Sequence, residues 1–226
     1  MNAGAGLLRV AEGYRRHRYA LLFYSLLGTI AIGPLLQTMG ANVHLVELLL
    51  SVNLVAAVLP GSTPMRHPIA LYVLLAALVV RWASLRFGLR DVSSLSLVVW
   101  IGVAAIAAAR SLRYALSSAR VDSEHLHAAL STYLLAGVFW GIAYVVLERL
   151  APGSLQAGGG AIADFSFPDA IYFSFVTLAT LGYGDILPVG SIARGLAIFE
   201  TVFGQLYLAV MVARLVGLRT MTEGPT

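Results

Sequence analysis

The sequence predicts an all-α membrane protein: six membrane-spanning helices, with a short re-entrant helix between the fifth and the sixth. Three observations carry this reading. Of 226 residues, 59% are hydrophobic and only 12% are charged, a balance far from that of soluble globular domains. Apolar runs recur along the chain at lengths close to the roughly 20 residues that cross a bilayer. Finally, one apolar helix is too short to cross and is followed at once by Gly182-Tyr183-Gly184, an irregular stretch placed where the hydrophobic runs put it at membrane depth. Non-helical backbone there must be buried in protein or line a polar path, because an unpartnered carbonyl away from water costs several kcal/mol.

In chain order, residues 1–18 form a tail carrying Arg9, Arg15, Arg16 and Arg18. Tyr19 to Met39 then offers 21 residues, roughly 31 Å of helix. Gly33-Pro34 inside it predicts a kink. Val43 to Leu59 makes the second span and stops at Pro60-Gly61, with Pro64 and Pro68 in the connection that follows. Ile69 to Leu85 is the third span and Val92 to Ala109 the fourth. The four together define a helical domain over residues 19–116. Residues 117–127 read as an amphipathic interfacial connection, and Ala128 to Leu147 as the fifth span.

The segment Glu148 to Phe167 reads as a polar loop around Gly158-Gly159-Gly160. Ser166-Phe167-Pro168-Asp169 then carries helix-start signals, namely a capping serine, a first-turn proline and an acid at the capping-box position. The helix expected at Pro168 to Ala179 is about 18 Å long and cannot cross the bilayer. It is followed by residues 180–185, by a sixth span at Ile192 to Val216, and by a tail at 219–226.

Charge predicts the orientation. All 15 basic side chains are arginine, and ten of them (Arg9, Arg15, Arg16, Arg18, Arg66, Arg110, Arg113, Arg120, Arg214 and Arg219) fall on the side of the termini. Four, Arg86, Arg90, Arg149 and Arg194, fall on the other, with Arg81 inside the third span. Positively charged flanks stay in the cytoplasm, so both termini are expected there, in a multi-pass protein of the cell membrane. The net charge of +4 is thereby accounted for without nucleic acid. No cleavable leader is expected, because the first apolar run is too long for one. The chain has no cysteine, which excludes disulfides, thiol nucleophiles and thiolate metal sites. His125 and His127 are two apart and point in different directions on a helix, so they are not expected to share a metal. No catalytic constellation is present, and no enzyme activity or cofactor is expected.

Thr177-x-x-Thr180-Leu181-Gly182-Tyr183-Gly184-Asp185 resembles the selectivity-filter signature of potassium channels, the system that also serves as the standard illustration of carbonyl-lined filters. The resemblance covers residues 128–218 and implies a tetrameric pore domain: outer helix, pore helix 168–179, filter 180–185 and inner helix 192–216. It further implies potassium ions coordinated at Thr180, Leu181, Gly182 and Tyr183, with Gly184 completing the filter and Asp185 adding negative charge at the outer mouth. Glycine accepts positive φ at no cost, so Gly182 and Gly184 suit a strand that turns its carbonyls to one axis. Leu181 stands where valine is commoner. Small two-helix bacterial members of the family have a glutamate where this chain has Val176, and some relatives place two tryptophans where it has Tyr172 and Phe173, so filter support must differ. Thr177, Tyr172 and Glu200 are the expected supports, with Glu200 reaching Thr177 or Tyr172 from the sixth span.

Gly204 matches the glycine at which the family's inner helix bends, although close helix packing explains a glycine there equally well. Leu208, Val212 and Val216 follow at i+4 steps as an apolar stripe suited to closing the path by dewetting. The fourth span lacks the repeated arginines of a voltage sensor. Arg110 and Arg113 read as interfacial anchors, and Glu47 with Arg81 as an ion pair within the membrane. The function expected is passive, potassium-selective conduction through a homotetramer in a lipid bilayer, weakly voltage-dependent at most. Two competitors are a regulatory subunit that keeps the fold without conducting and a potassium transporter. An intact filter motif argues against the first, and a single copy of it against the second.

Overall fold

The structure, a computed structural model, describes residues 17–38, 43–58, 76–80, 82–83, 90–117, 122–162 and 165–222. Its elements in order are α1 (Arg18–Thr38), α2 (Val43–Val58), α3 (Arg90–Ala115), α4 (Ser123–Leu150), β1 (Leu155–Ala157), β2 (Gly160–Ala161), α5 (Phe167–Leu178), β3 (Ile186–Pro188) and α6 (Ser191–Thr222). Residues 76–80 and 82–83 are helical as well, and the rest of the expected third span, Arg81 included, lies outside the described residues. Among those residues three helices are long and apolar enough to cross a membrane: Ser96–Ala115, Ser123–Leu150 and Ser191–Gly217. Arg18–Gly33, Leu45–Val58 and Phe167–Leu178 are shorter apolar helices.

One buried core joins the helices, and α4 is its centre. Leu135, Val138 and Tyr144 on α4 have no exposed surface, and α1, α3, α5 and α6 all lie against it. Small residues set the closest approach. A Cβ on Gly137 would stand 2.5 Å from the Phe175 ring, and one on Gly141 would stand 2.5 Å from Ile171 Cδ1, so Gly137-x-x-x-Gly141 is the groove that seats α5. α1 runs as a single helix through Gly33 and Pro34, where a kink is expected from sequence, and Gly33 faces Val46 of α2.

Polar contacts tie the helix ends together near the start of α4. The Glu124 carboxylate accepts from the Tyr19 backbone N–H at 3.0 Å, answering one of the free donors at the start of α1. Tyr114 of α3 stacks between Tyr19, at 4.4 Å, and His125, at 4.7 Å. Asp122 caps α4 by accepting from the His125 N–H at 3.0 Å, a bond that holds its carboxyl below the usual range. Because this cap starts the helix at Ser123, five residues of the expected connection 117–127 belong to α4. His125 and His127 therefore pack on aromatic rings of α1 and α3 and are not open interfacial surface. Arg110 donates to the Val58 carbonyl at 2.6 Å, where α2 ends. Arg214 of α6 donates to the Ala115 and Leu116 carbonyls, where α3 ends.

The segment expected to be a polar loop instead carries part of a three-stranded antiparallel sheet, ordered β2-β1-β3. Ala157 pairs with Gly160, leaving Gly158 and Gly159 as a two-residue hairpin loop with φ of +60° and +83°. Two positive-φ residues in succession make the turn whose twist suits paired strands. Glu148 at the end of α4 accepts from the Gly153 and Leu155 N–H groups and anchors the first strand.

Candidate functional site: the re-entrant helix and the strand that follows it

α5 starts with a complete capping box. Ser166 accepts from the Asp169 N–H, Asp169 accepts from the Ser166 N–H at 3.1 Å, and Pro168 lies in the first turn. The helix spans Phe167–Leu178, one residue earlier at each end than expected from sequence. At its other end Thr180 N–H donates to the Thr177 carbonyl at 3.0 Å and Leu181 N–H to the Val176 carbonyl at 2.8 Å. Those two bonds form the Schellman arrangement, which requires a left-handed residue at the position of Thr180. Thr180 indeed has φ of +59°. A β-branched residue in that region is strained by about 1–3 kcal/mol.

The left-handed pattern continues at every second residue. Gly182 has φ of +60° and Gly184 of +78°, while Leu181 and Tyr183 between them are not left-handed. Alternation of this kind turns successive carbonyls toward one side, and Thr180 through Gly184 are all exposed on the single chain. The glycines were legible in the sequence as positive-φ positions, whereas the threonine's conformation follows from the helix end that precedes it. Asp185 closes the stretch, accepting from the Tyr172 hydroxyl at 2.6 Å. That bond holds the Asp185 carboxyl below the usual carboxylate range. Directly after Asp185, β3 pairs with β1, and the Ser154 carbonyl accepts from Val189 and Gly190 N–H, so the strand leaves the site on a fixed path.

Against α5 stands Glu200 of α6, with no exposed surface. Its partners are neither Thr177 nor Tyr172, the two expected from sequence. Ser174 Oγ lies 2.5 Å from Glu200 Oε1 and 2.8 Å from the Gly137 carbonyl oxygen of α4, and the Tyr144 hydroxyl donates to Glu200 Oε2 at 2.7 Å. Helix geometry explains the difference: Ser174 is on the buried face of α5, whereas Tyr172, two residues earlier, projects from the opposite face toward Asp185. Thr177 meets α6 through its backbone, its carbonyl lying 3.4 Å from Thr201 Oγ1. Ser174 and Tyr144 were missed in the sequence. Ser174 carries a weak signal, a small polar residue on an apolar face; Tyr144 carries none. Phe173 is buried edge-to-face against Tyr144 at 4.8 Å.

Gly204, one turn beyond Glu200, is the contact between α6 and the end of α5. A Cβ there would stand 2.5 Å from the Leu178 carbonyl oxygen and 2.9 Å from Leu178 Cδ1. α6 continues unbroken through it. Leu208, Val212 and Val216 are exposed on the single chain, in contrast to Met211, which is buried. Of the expected Glu47–Arg81 pair, Glu47 is buried and Arg81 lies outside the described residues.

A family model described as an ion channel matches residues 130–219. The chain is 37% identical over 82 residues to the inward rectifier potassium channel Kirbac3.1 of Paramagnetospirillum magnetotacticum, a match covering 34% of this chain and 24% of that protein. It is 30% identical over 102 residues to protein LctB of Geobacillus stearothermophilus, covering 43% of this chain and 74% of LctB. A protein LctB of Bacillus caldotenax is 44% identical over 48 residues, 21% of this chain and 35% of that protein. The chain thus spans about a quarter of Kirbac3.1 and about three quarters of the first LctB. No solved structure matches it. The family model takes in α5, the left-handed stretch and the Glu200 and Gly204 contacts, so the site just described lies within the matched region, and the chain belongs to the potassium channel family of ion channels.

Proposed function

We propose that the chain is one subunit of a homotetrameric, potassium-selective channel that conducts passively across the cell membrane. The observation that carries this reading is the left-handed alternation at Thr180, Gly182 and Gly184 over an exposed strand. One such strand supplies a single oxygen to each ring, so four copies are needed to replace the water shell of an ion. Potassium is held at Thr180, Leu181, Gly182 and Tyr183, with Gly184 completing the strand and Asp185 ringing the outer mouth with negative charge. The carboxyl end of α5 presents about half a negative charge to the centre of the membrane, and four such ends hold a cation there. Below it, Gly204, Leu208, Val212 and Val216 line the inner path.

The pore domain occupies residues 128–218. Residues 19–116 are assigned to a four-helix domain that, with the pore domain, completes six spans, with both termini in the cytoplasm. The exposed apolar surface of α6, which includes Ile198, Val202, Leu206 and Val210, supports the assembly, because it is divided between neighbouring subunits and lipid. The test is potassium flux from proteoliposomes holding the purified protein. A reversal potential that follows the potassium gradient and ignores sodium supports the reading. Equal permeation of the two ions removes the selectivity claim, and no flux at all favours a non-conducting subunit.

A further inference from the structure

The Glu200 cluster contains more short contacts than its hydroxyl protons can serve. Three oxygen–oxygen contacts run in series: Tyr144 hydroxyl to Glu200 Oε2 at 2.7 Å, Glu200 Oε1 to Ser174 Oγ at 2.5 Å, and Ser174 Oγ to the Gly137 carbonyl oxygen at 2.8 Å. Each contact at such a distance needs a proton between its oxygens. Tyr144 and Ser174 carry one each, and the Gly137 carbonyl carries none. If Ser174 donates to Glu200, the Gly137 contact is left as two facing lone pairs; if it donates to Gly137, the Glu200 contact is. All three are made only when the Glu200 carboxyl supplies the third proton. The chain then runs in one direction, from Tyr144 to Glu200, from Glu200 to Ser174, and from Ser174 to Gly137.

We infer that Glu200 is a neutral carboxylic acid and that, in this form, it is the positioning residue fastening the filter's helix to α4 and α6. Burial supports neutrality independently: Glu200 has no exposed surface, its hydrogen-bond partners are hydroxyls without an arginine or histidine among them, and an ionised carboxylate in such a place costs several kcal/mol. The position explains the use. Ser174 lies six residues before Thr180 on the helix that aims the filter, Gly137 lies in the groove that seats this helix, and Glu200 lies one turn before the Gly204 contact with Leu178. A neutral acid can join the three helices without placing a fixed charge beside a cation path. The positioning role rests on the channel reading, whereas the protonation state does not.

Infrared difference spectroscopy of the purified full chain in proteoliposomes at neutral pH, wild type minus Glu200→Gln, tests the state. A carboxylic-acid C=O stretch that shifts in Tyr144→Phe, which loses the donor to that oxygen, is the expected result. Carboxylate bands in its place overturn the inference, whether or not the protein conducts. For the role, sodium and potassium permeabilities are compared in bilayers. The glutamine amide can donate to Ser174 and accept from Tyr144, so Glu200→Gln keeps the wild-type ratio. Glu200→Leu, which can do neither, lowers potassium preference at least tenfold while its helical circular dichroism stays that of the wild type. An unchanged ratio in the leucine variant, or a loss as large in the glutamine variant, refutes the positioning role.

Discussion

Replacing Gly204 by alanine separates two explanations of a glycine in the middle of α6. The added methyl would stand 2.5 Å from the Leu178 carbonyl oxygen, where ordinary contact begins at 3.4 Å. The end of α5 and α6 must therefore move apart by roughly 0.9 Å, and the main obstacle is backbone, which cannot swing aside as a side chain can. Overpacking of this kind costs about 1–3 kcal/mol. In the opposite direction, alanine improves helix propensity by about 1 kcal/mol. Gly195 on the same helix has nothing within 4 Å of an added Cβ, so Gly195→Ala reports the propensity gain alone. The expected difference in unfolding free energy between the two variants is then the packing cost, about 1–3 kcal/mol against Gly204→Ala. Denaturant unfolding in one detergent measures it, and flux from proteoliposomes shows whether displacing Leu178, two residues before Thr180, disturbs conduction. If Gly204→Ala proves as stable as Gly195→Ala and only opens less often, packing does not explain the glycine and a bend at this position does.

At the filter itself, Gly182→Ala forces a side chain into φ of +60°, a cost of about 1–2 kcal/mol per chain; reversal potentials in mixed sodium and potassium should show selectivity lost, and an unaltered ratio would mean that the strand does not conduct in this conformation. Tyr172→Phe removes the hydroxyl that holds the Asp185 carboxyl below its usual range. Without it protonation of Asp185 begins at higher pH, so inhibition of inward current by external acid should move toward neutral pH, and identical acid titrations of variant and wild type would show that Asp185 does not act at the mouth. Voltage dependence of opening should be weak, since no arginine lies between Val92 and Ala109 and Arg110 is bonded to the Val58 carbonyl; a steep dependence abolished by neutralising Arg110 and Arg113 would refute this.

Local chemistry made much of the pore region legible in the sequence alone. The Ser166–Asp169 capping box, the length of α5, and the positive φ of Gly182 and Gly184 follow from residues that act on their immediate neighbours. Apolar length likewise marks α4 and α6, since crossing a membrane is a property of a single segment. Their ends lie beyond the apolar runs, because a cap such as Asp122 extends a helix through polar residues that hydropathy passes over. The small sheet was partly signalled by Gly158-Gly159, yet its pairing of Leu155 with Pro188 joins segments on either side of α5, and no local pattern encodes that.

Partner choice was the province of the tertiary structure. That Glu200 would reach α5 could be argued from helix period, but Ser174, Tyr144 and Gly137 come together only because Gly137 and Gly141 let α5 lie against α4. The same holds for Gly204, whose hinge and packing explanations are equal in sequence and become distinguishable only when Leu178 stands 2.5 Å from its missing Cβ. Thr180 shows the division most plainly. Its side chain disfavours the left-handed region, and the backbone bonds closing the end of α5 require that conformation. A sequence specifies what each segment prefers, while packing decides which preferences are overruled and which buried groups must share their protons.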